Sequence, residues 1–144
     1  MGLTPGAELL QFATKTITFT GAANLGLAAS NITIFAVTGQ ILIVRLVPYC
    51  VTSLEEAAAS ATIRLGHPAA TNWLIGDTAA IAIDAGYFWV DTSPDPDIIA
   101  LPATLKDINT GGNIIARPLT QNITAGVIRF DLYWMPLSSD ATVV

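Results

Sequence analysis

Short runs of β-branched and aromatic residues, separated by Gly, Pro, Asn and Asp, constrain the fold of this chain more than any other feature of its sequence. No stretch keeps a helical period beyond about ten residues, and short β-branched runs bounded by turn residues are typical of strands. The sequence therefore predicts an all-β protein. We expect strands at residues 14–20, 32–38, 40–51, 60–65, 79–83, 87–91, 98–101, 113–117 and 127–135.

Two of these runs indicate how the strands are buried. In the run 127–135 the even-numbered residues from Ile128 to Trp134 are apolar, with Arg129 and Asp131 between them, so one face is expected to be core. Residues 41–47 are apolar on both faces except for Arg45, as expected of a central strand covered on two sides. We expect a two-layer antiparallel β-sandwich, jelly-roll-like, with about nine short strands and minimal helix, rather than a small barrel or an α/β fold.

Local patterns add two expectations. Thr38-Gly39 lies between two strand-like runs and predicts a tight hairpin in which the glycine has a positive φ angle. Ser53-Leu54-Glu55-Glu56 matches a capping box and predicts a helix of at most two turns, through Ala59. The division we expect is an N-terminal arm (residues 1–13), a single β-sandwich domain (14–137) and a C-terminal tail (138–144) that is free or bound to a partner.

The chain carries few charges for its size. Only 12% of its residues are charged, against roughly 25% in a typical soluble domain. A folded chain of this mass exposes on the order of 7,000 Å², or about 400 Å² for each charged side chain. Apolar patches on monomers reach roughly 300 to 600 Å², so larger patches are expected here unless partners cover them. The composition therefore predicts a lasting homo-oligomer.

Composition also excludes several classes of protein. A chain that is 52% hydrophobic with a net charge of -5 has enough apolar surface to fold. Its longest apolar run, residues 41–51, is shorter than the roughly 18 residues of a membrane helix and contains Arg45 and Pro48, so we expect no membrane partner. Six scattered basic residues give no continuous positive stripe, so no direct nucleic-acid contact is expected.

Residue types that support catalysis are scarce, and we predict no enzyme, no catalytic, cofactor-binding or metal residues and no cofactor. His67, the one histidine, precedes Pro68 and is expected to be an ordinary loop residue rather than a base. Gly21 to Gly26 has the glycine spacing of a P-loop without its Lys and Ser/Thr, which predicts a flexible turn. Cys50, the single cysteine, lies in an apolar run and is expected to pack as a small hydrophobic residue.

Acidic residues leave two alternatives open. The segment from Asp91 to Asp97 holds three carboxylates in seven residues, and we expect a solvated acidic loop, with cation binding as the alternative. Four further positions could converge into the carboxylate pair of a hydrolase, although the sequence does not place them together: Asp77, Asp84, Asp91 and Asp131.

Neighbouring aromatic residues occur at Tyr87-Phe88-Trp89 and Tyr133-Trp134. They could form a stacking platform for sugars or bases, but adjacent strand residues point to opposite faces, which favours core packing plus an interface. The sequons that begin at Asn31 and Asn122 are expected to be coincidences in a threonine-rich chain.

From about residue 14 to residue 138 the layout resembles small β-rich virion proteins of tailed bacteriophages. The stretches that carry this resemblance are Thr16-Ile17-Thr18-Phe19-Thr20-Gly21-Ala22, Gly86-Tyr87-Phe88-Trp89-Val90-Asp91-Thr92-Ser93-Pro94, Gly112-Asn113-Ile114-Ile115-Ala116 and Tyr133-Trp134-Met135-Pro136-Leu137. The resemblance implies a capsid decoration, or cement, protein: a trimer on the exterior of the phage head that ties neighbouring major capsid protein subunits together, assembled in the host cytoplasm.

If this resemblance holds, we expect the sheet faces to form the trimer, while the arm at residues 1–13 or the tail at 138–144 becomes ordered on the capsid. The alternatives are a phage tail or fibre component, a carbohydrate-binding jelly-roll module, and a hydrolase built from convergent aspartates.

Overall fold

The computed structural model describes residues 10–91 and 108–144. Within these ranges the chain forms ten strands and one short 3₁₀ turn, η1, at Ala80–Ala82. The strands are β1 (Gln11–Thr18), β2 (Ile32–Phe35), β3 (Val37–Thr38), β4 (Ile41–Glu56), β5 (Thr62–His67), β6 (Ala70–Ala79), β7 (Ile108–Asn109), β8 (Ile114–Leu119), β9 (Ile123–Pro136) and β10 (Thr142–Val143).

These strands form two antiparallel sheets that pack face to face. Their orders are β1-β9-β4-β7 and β2-β8-β5-β6, and a short ribbon pairs β3 with β10. The predicted all-β, two-layer sandwich with minimal helix is therefore confirmed. Within the described ranges, no helix is both long and apolar enough to cross a membrane.

A single core lies between the two sheets. From β9, Ile128, Phe130 and Leu132 are completely buried, in the alternation that the sequence predicts. The second sheet contributes Ile63 and Leu65 of β5 to the same cluster. Burying each such side chain stabilises the fold by about 1.5–3 kcal/mol, so the inner faces provide the main driving force for packing the sheets together.

Strands β4 and β9 form the longest pairing, from Ile41 opposite Pro136 to Glu56 opposite Ile123. The register of β4 shifts at four points along this pairing, beginning between Ile43 and Arg45. Each such irregularity bends a strand and increases its twist. The pair therefore curls around the core, and the outer surface of the sheet is convex.

The helix predicted after Ser53 is wrong, because β4 continues through this segment to Glu56. Its pairing with β9 supplies the backbone hydrogen bonds that a helix would otherwise provide. The Glu56 carboxylate does not complete a capping box; it accepts hydrogen bonds from the backbone N–H groups of Ser60 (2.9 Å) and Ala61.

Two further predicted strands are also wrong. In the segment 79–83 the chain turns through η1, where the N–H of Ile83 donates to the carbonyl oxygen of Ala80 (3.0 Å). In the segment 87–91 only one isolated bridge forms, between Phe88 and Tyr49. Both segments run along the edge of β4 without the sustained pairing that defines a strand. The strand predicted at 98–101 lies outside the described residues.

The Thr38-Gly39 hairpin is correct in backbone angle and wrong in pairing. Gly39 has a φ of +70°, as predicted. However, β3 pairs with β10, whereas β4 pairs with β7 and β9. Gly39 therefore redirects the chain from the ribbon into the large sheet and does not join two paired strands.

Both ends of the described chain take part in the strand structure. Residues 11–13 of the predicted arm belong to β1, and residues 142–143 of the predicted tail form β10. Val144 also exchanges backbone hydrogen bonds with Ala36, at 2.8 and 3.0 Å. Residues 1–9 of the predicted arm lie outside the described residues, and the division into arm, domain and tail stays a prediction.

Gly26 gives a direct test of this packing. Its φ is +122°, and a Cβ at this position would overlap the carbonyl oxygen of Ile123 at the start of β9. We expect Gly26→Ala to lower the free energy of unfolding by about 2 kcal/mol or more, measured by urea denaturation, because both the backbone angle and the space exclude a side chain. Gly76→Ala is the matched control, since nothing lies within 4 Å of its Cβ position. Equal effects of the two substitutions would contradict this account.

Candidate interaction surface

The outer face of the β1-β9-β4 sheet carries a row of exposed aromatic side chains. Phe12, Tyr133 and Arg45 lie side by side on the three strands. The rings of Phe12 and Tyr133 are 5.0 Å apart, and these side chains are 55% and 37% exposed. A second pair lies further along β4, where the rings of Tyr49 and Phe88 are 5.3 Å apart.

Polar contacts hold the centre of the same face. The Asp131 carboxylate accepts a hydrogen bond from Thr14 Oγ1 (2.7 Å) and forms an ion pair with Arg129 Nε (3.0 Å). The Arg129 guanidinium also lies over the Tyr49 ring, 5.3 Å from its centroid, where the ring face attracts a cation. The outer face therefore combines apolar rings with fixed charges, as protein interfaces do.

The outer face of the other sheet also has charged side chains that are bonded within the chain. Arg64 holds both carboxylate oxygens of Asp77, at 2.6 and 2.7 Å, and also donates to Thr71. Arg117 donates to Asn31 Oδ1 (2.9 Å). These contacts are satisfied internally, so the apolar and aromatic surface that could gain from a partner lies on the β1-β9-β4 side.

Tyr133 and Trp134 divide between surface and core, as alternation on a strand predicts, whereas the 87–89 group does not alternate. Trp89 and Trp134 are 3% and 8% exposed, and Trp89 Nε1 donates to Thr78 Oγ1 (2.9 Å). Tyr87 and Phe88, in contrast, are 68% and 59% exposed. Three aromatic side chains of these two groups are therefore available at the surface: Tyr87, Phe88 and Tyr133.

His67 joins two turns through its ring. Nδ1 accepts a hydrogen bond from the N–H of Ala69 (3.1 Å), so Nε2 carries the proton and donates to the carbonyl oxygen of Gly111 (3.0 Å). With both ring nitrogens occupied, His67 holds the β5–β6 turn against the loop before β8.

The aspartates proposed to converge do not meet. Asp77 lies on the outer face of one sheet with Arg64, whereas Asp131 lies on the outer face of the other sheet with Arg129. Asp84 follows η1 in the loop beside β4. Among the residues that the structure describes, no three His, Cys, Asp or Glu side chains form a group that could hold a metal ion. Residues 92–97 of the acidic loop lie outside this part.

The two sequons and the glycine-spaced turn all make hydrogen bonds within the fold. Asn122 Oδ1 accepts a hydrogen bond from the N–H of Ala28 (2.9 Å), and Asn31 Oδ1 accepts the one from Arg117. The turn from Gly21 to Gly26 is held by backbone hydrogen bonds rather than left loose: Leu25 accepts from both Thr20 and Gly21, at 2.8 and 3.1 Å.

An open groove of about 250 Å³ lies where β4 is bulged, between the two sheets. Apart from Arg45, its lining is aliphatic: Ile43, Val44, Leu46, Leu65, Leu74 and Ile75. Such a lining suits apolar contacts rather than acid–base chemistry.

The sequence singled out Tyr87, Phe88 and Tyr133, but it did not identify Phe12 or Tyr49 as surface aromatics. Phe12 falls in the predicted arm, where no pattern places it in a sheet. Arg45 had a detectable signal, since it is the one charge in an otherwise apolar run.

Comparison with known proteins gives one structural likeness. A chain in the solved structure described as "Cyanophage Pam1 capsid asymmetric unit" matches with a TM-score of 0.55 and 13% sequence identity, over 88% of this chain and 84% of that chain. The two chains are therefore nearly equal in length and share a fold. No protein-family model matches the sequence, and no curated protein matches it.

Cys50 gives a prediction about pH. It is fully buried, and its Sγ lies 3.2 Å from the Thr52 carbonyl oxygen and 3.5 Å from that of Ile83. Burial raises the pKa of the thiol, the negative charge of Asp84 raises it further, and a hydrogen bond with the Thr52 backbone opposes the rise. Above the ordinary thiol pKa of about 8.5 the unfolded chain therefore binds fewer protons than the folded one.

We expect the free energy of unfolding to fall as pH rises from 7.5 to about 9.5, and to fall less in Cys50→Ala, which lacks this group. Urea denaturation of both proteins at the two pH values measures the difference. Native Cys50 should also resist iodoacetamide until the protein is unfolded. Rapid alkylation of the native protein would contradict a buried, protonated thiol.

Proposed function

We propose that this chain is a structural protein of a phage virion, of the capsid decoration or cement type, which binds the head exterior as a homotrimer and contacts the major capsid protein. The observation that carries the proposal is the fold shared with a chain of the cyanophage capsid asymmetric unit over most of both chains. The match spans nearly the whole of each chain, so it is not a likeness to one domain of a much larger protein.

The surface supports the same proposal. The aromatic pairs Phe12–Tyr133 and Tyr49–Phe88 lie on one face, where Phe12, Tyr133 and Phe88 are exposed and the half-buried Tyr49 lies under Arg129. Aromatic residues and arginine are enriched at protein interfaces and carry much of their binding energy. The low content of charged residues favours lasting association over a soluble, isolated monomer.

Such a protein acts by mass action. If it binds the expanded head lattice and has no affinity for other states, it stabilises the expanded state by its binding free energy. At a free concentration about 100-fold above the dissociation constant, each site gains about 2.7 kcal/mol. Many equivalent sites on one head would multiply this gain.

Within the predicted N-terminal arm, residues 1–13, we propose that residues 1–9 contact the capsid, since residues 11–13 already pair in β1. For the C-terminal residues this role is less favoured, because β10 already pairs with β3 within the same chain. Deletion of residues 1–9 leaves β1 intact and is expected to lower capsid occupancy. Unchanged occupancy would remove this role from the arm.

A direct test is to locate the protein in particles of the phage that encodes it. We expect mass spectrometry of purified virions to detect the chain, and electron cryomicroscopy to show its density on the head exterior. Density on the tail or fibres would favour the tail or fibre alternative, and absence from virions would reject the proposal. Glycan-array binding by a protein that is absent from virions would favour a carbohydrate-binding module.

A further inference from the structure

Exposed apolar side chains occur along the β1-β9-β4 sheet, and two groups of them include charged residues that lack an ion-pair partner among the described residues. The group near Ile41 is what we name the basic patch, which consists of Leu10, Phe12, Val44, Arg45 and Tyr133. The register of β1, β9 and β4 places Phe12, Tyr133 and Arg45 next to one another, so this patch is built from all three strands.

The loop after η1 lies against the second half of β4, from Tyr49 to Leu54. The N–H of Leu54 donates to the carbonyl oxygen of Ile83 (3.2 Å), and the N–H of Cys50 donates to that of Tyr87 (2.9 Å). These bonds bring exposed apolar and acidic residues together in what we name the acidic patch, which consists of Glu55, Ile81, Asp84, Tyr87 and Phe88.

The charges of the two patches are not neutralised by ion pairs within the described chain. The described residues contain two ion pairs, Arg64–Asp77 and Arg129–Asp131, and neither includes Arg45, Glu55 or Asp84. The basic patch therefore presents a free guanidinium among apolar groups, and the acidic patch presents free carboxylates among apolar groups. Such surfaces are complementary in charge, and burial of their apolar parts would add affinity.

The charges of the two patches lie apart along β4, since Arg45 and Glu55 are ten positions apart on this strand. The edges of the patches are closer, because Phe88 of the acidic patch lies opposite Tyr49, four positions from Arg45, or about 13 Å at roughly 3.3 Å per strand residue. A cyclic trimer, as in the proposed function, requires a contact between two different surfaces of each copy, and the two patches supply such a pair.

We propose that copies of this chain associate head to tail, with the basic patch of one copy packed against the acidic patch of the next. The inference rests on the homo-oligomer of the proposed function and adds which surfaces form it. Each copy has one patch of each kind, so the contact is heterologous, and a rotation that closes produces a ring. The proposed trimer is one such ring.

The first test reverses the charges in the full-length chain and measures mass by sedimentation at low micromolar concentration. We expect Arg45→Glu, and separately the paired reversal Glu55→Lys with Asp84→Lys, each to raise the dissociation constant at least about tenfold, because like charges then meet across the contact. The triple variant carries all three reversals and should recover association, since its patches are again opposite in charge. Lys15→Glu is the matched control: it makes the same charge change on β1, outside both patches, and should not alter the mass.

The second test distinguishes head-to-tail from two-fold association. In a Cys50→Ala background, we introduce Tyr133→Cys and Tyr87→Cys, singly and together, and add a short bifunctional maleimide. Head-to-tail contact predicts a ladder up to the complete ring for the double variant and no cross-linked species for either single variant. Efficient cross-linking of a single variant would show a two-fold contact and overturn the proposal.

Two further outcomes separate a failure of the head-to-tail contact from a failure of the proposed function. The head-to-tail contact is overturned if the wild-type chain is monomeric, or if neither charge reversal changes the mass of the oligomer. Detection of the chain in virions would then leave the proposed function standing. Circular dichroism of each variant confirms folding, and Arg45→Gln, which only removes the charge, should weaken association less than Arg45→Glu.

Discussion

The pairing of β4 with β9 is the interaction on which the rest of the structure depends. It runs from Ile41 opposite Pro136 to Glu56 opposite Ile123, and it fixes which residues of both strands face the core. Because the side-chain period of a strand is two, a slip of one residue would turn Ile128 and Phe130 outward and expose the centre of the core. The other parts of this sheet attach to the pair: β1 lies on the free edge of β9, while β7 and the 86–89 segment lie along β4.

The register shifts in β4 have consequences at both surfaces of the sheet. On the inner side, they let one long strand follow the core while Ile43, Cys50 and Leu54 all stay buried. On the outer side, they make the surface convex and direct the two ends of the strand away from each other. Arg45 and Glu55, which are ten positions apart on β4, lie opposite residues only eight positions apart on β9, because the bulges take up the difference.

The two outer faces differ in how much aromatic surface they expose. On the second sheet, Arg64 and Arg117 find partners within the chain, so that face gains little by losing contact with water. On the first sheet, rings lie exposed beside Arg45 and Arg129, where the burial of apolar area by a partner would be favourable. This asymmetry gives the sandwich one side suited to association.

The sequence by itself determined the fold class and much of the core, because alternation such as that of Ile128, Phe130 and Leu132 is a local signal of which face is buried. It also separated Trp134 from Tyr133, since neighbouring strand residues face opposite ways. Only the tertiary structure decided that Ser53 to Glu56 stays a strand, that β10 pairs with β3, and that Phe12 and Arg45 lie beside Tyr133. Those outcomes depend on hydrogen-bond partners many residues away, and the local pattern of a segment carries no information about which distant strand lies beside it.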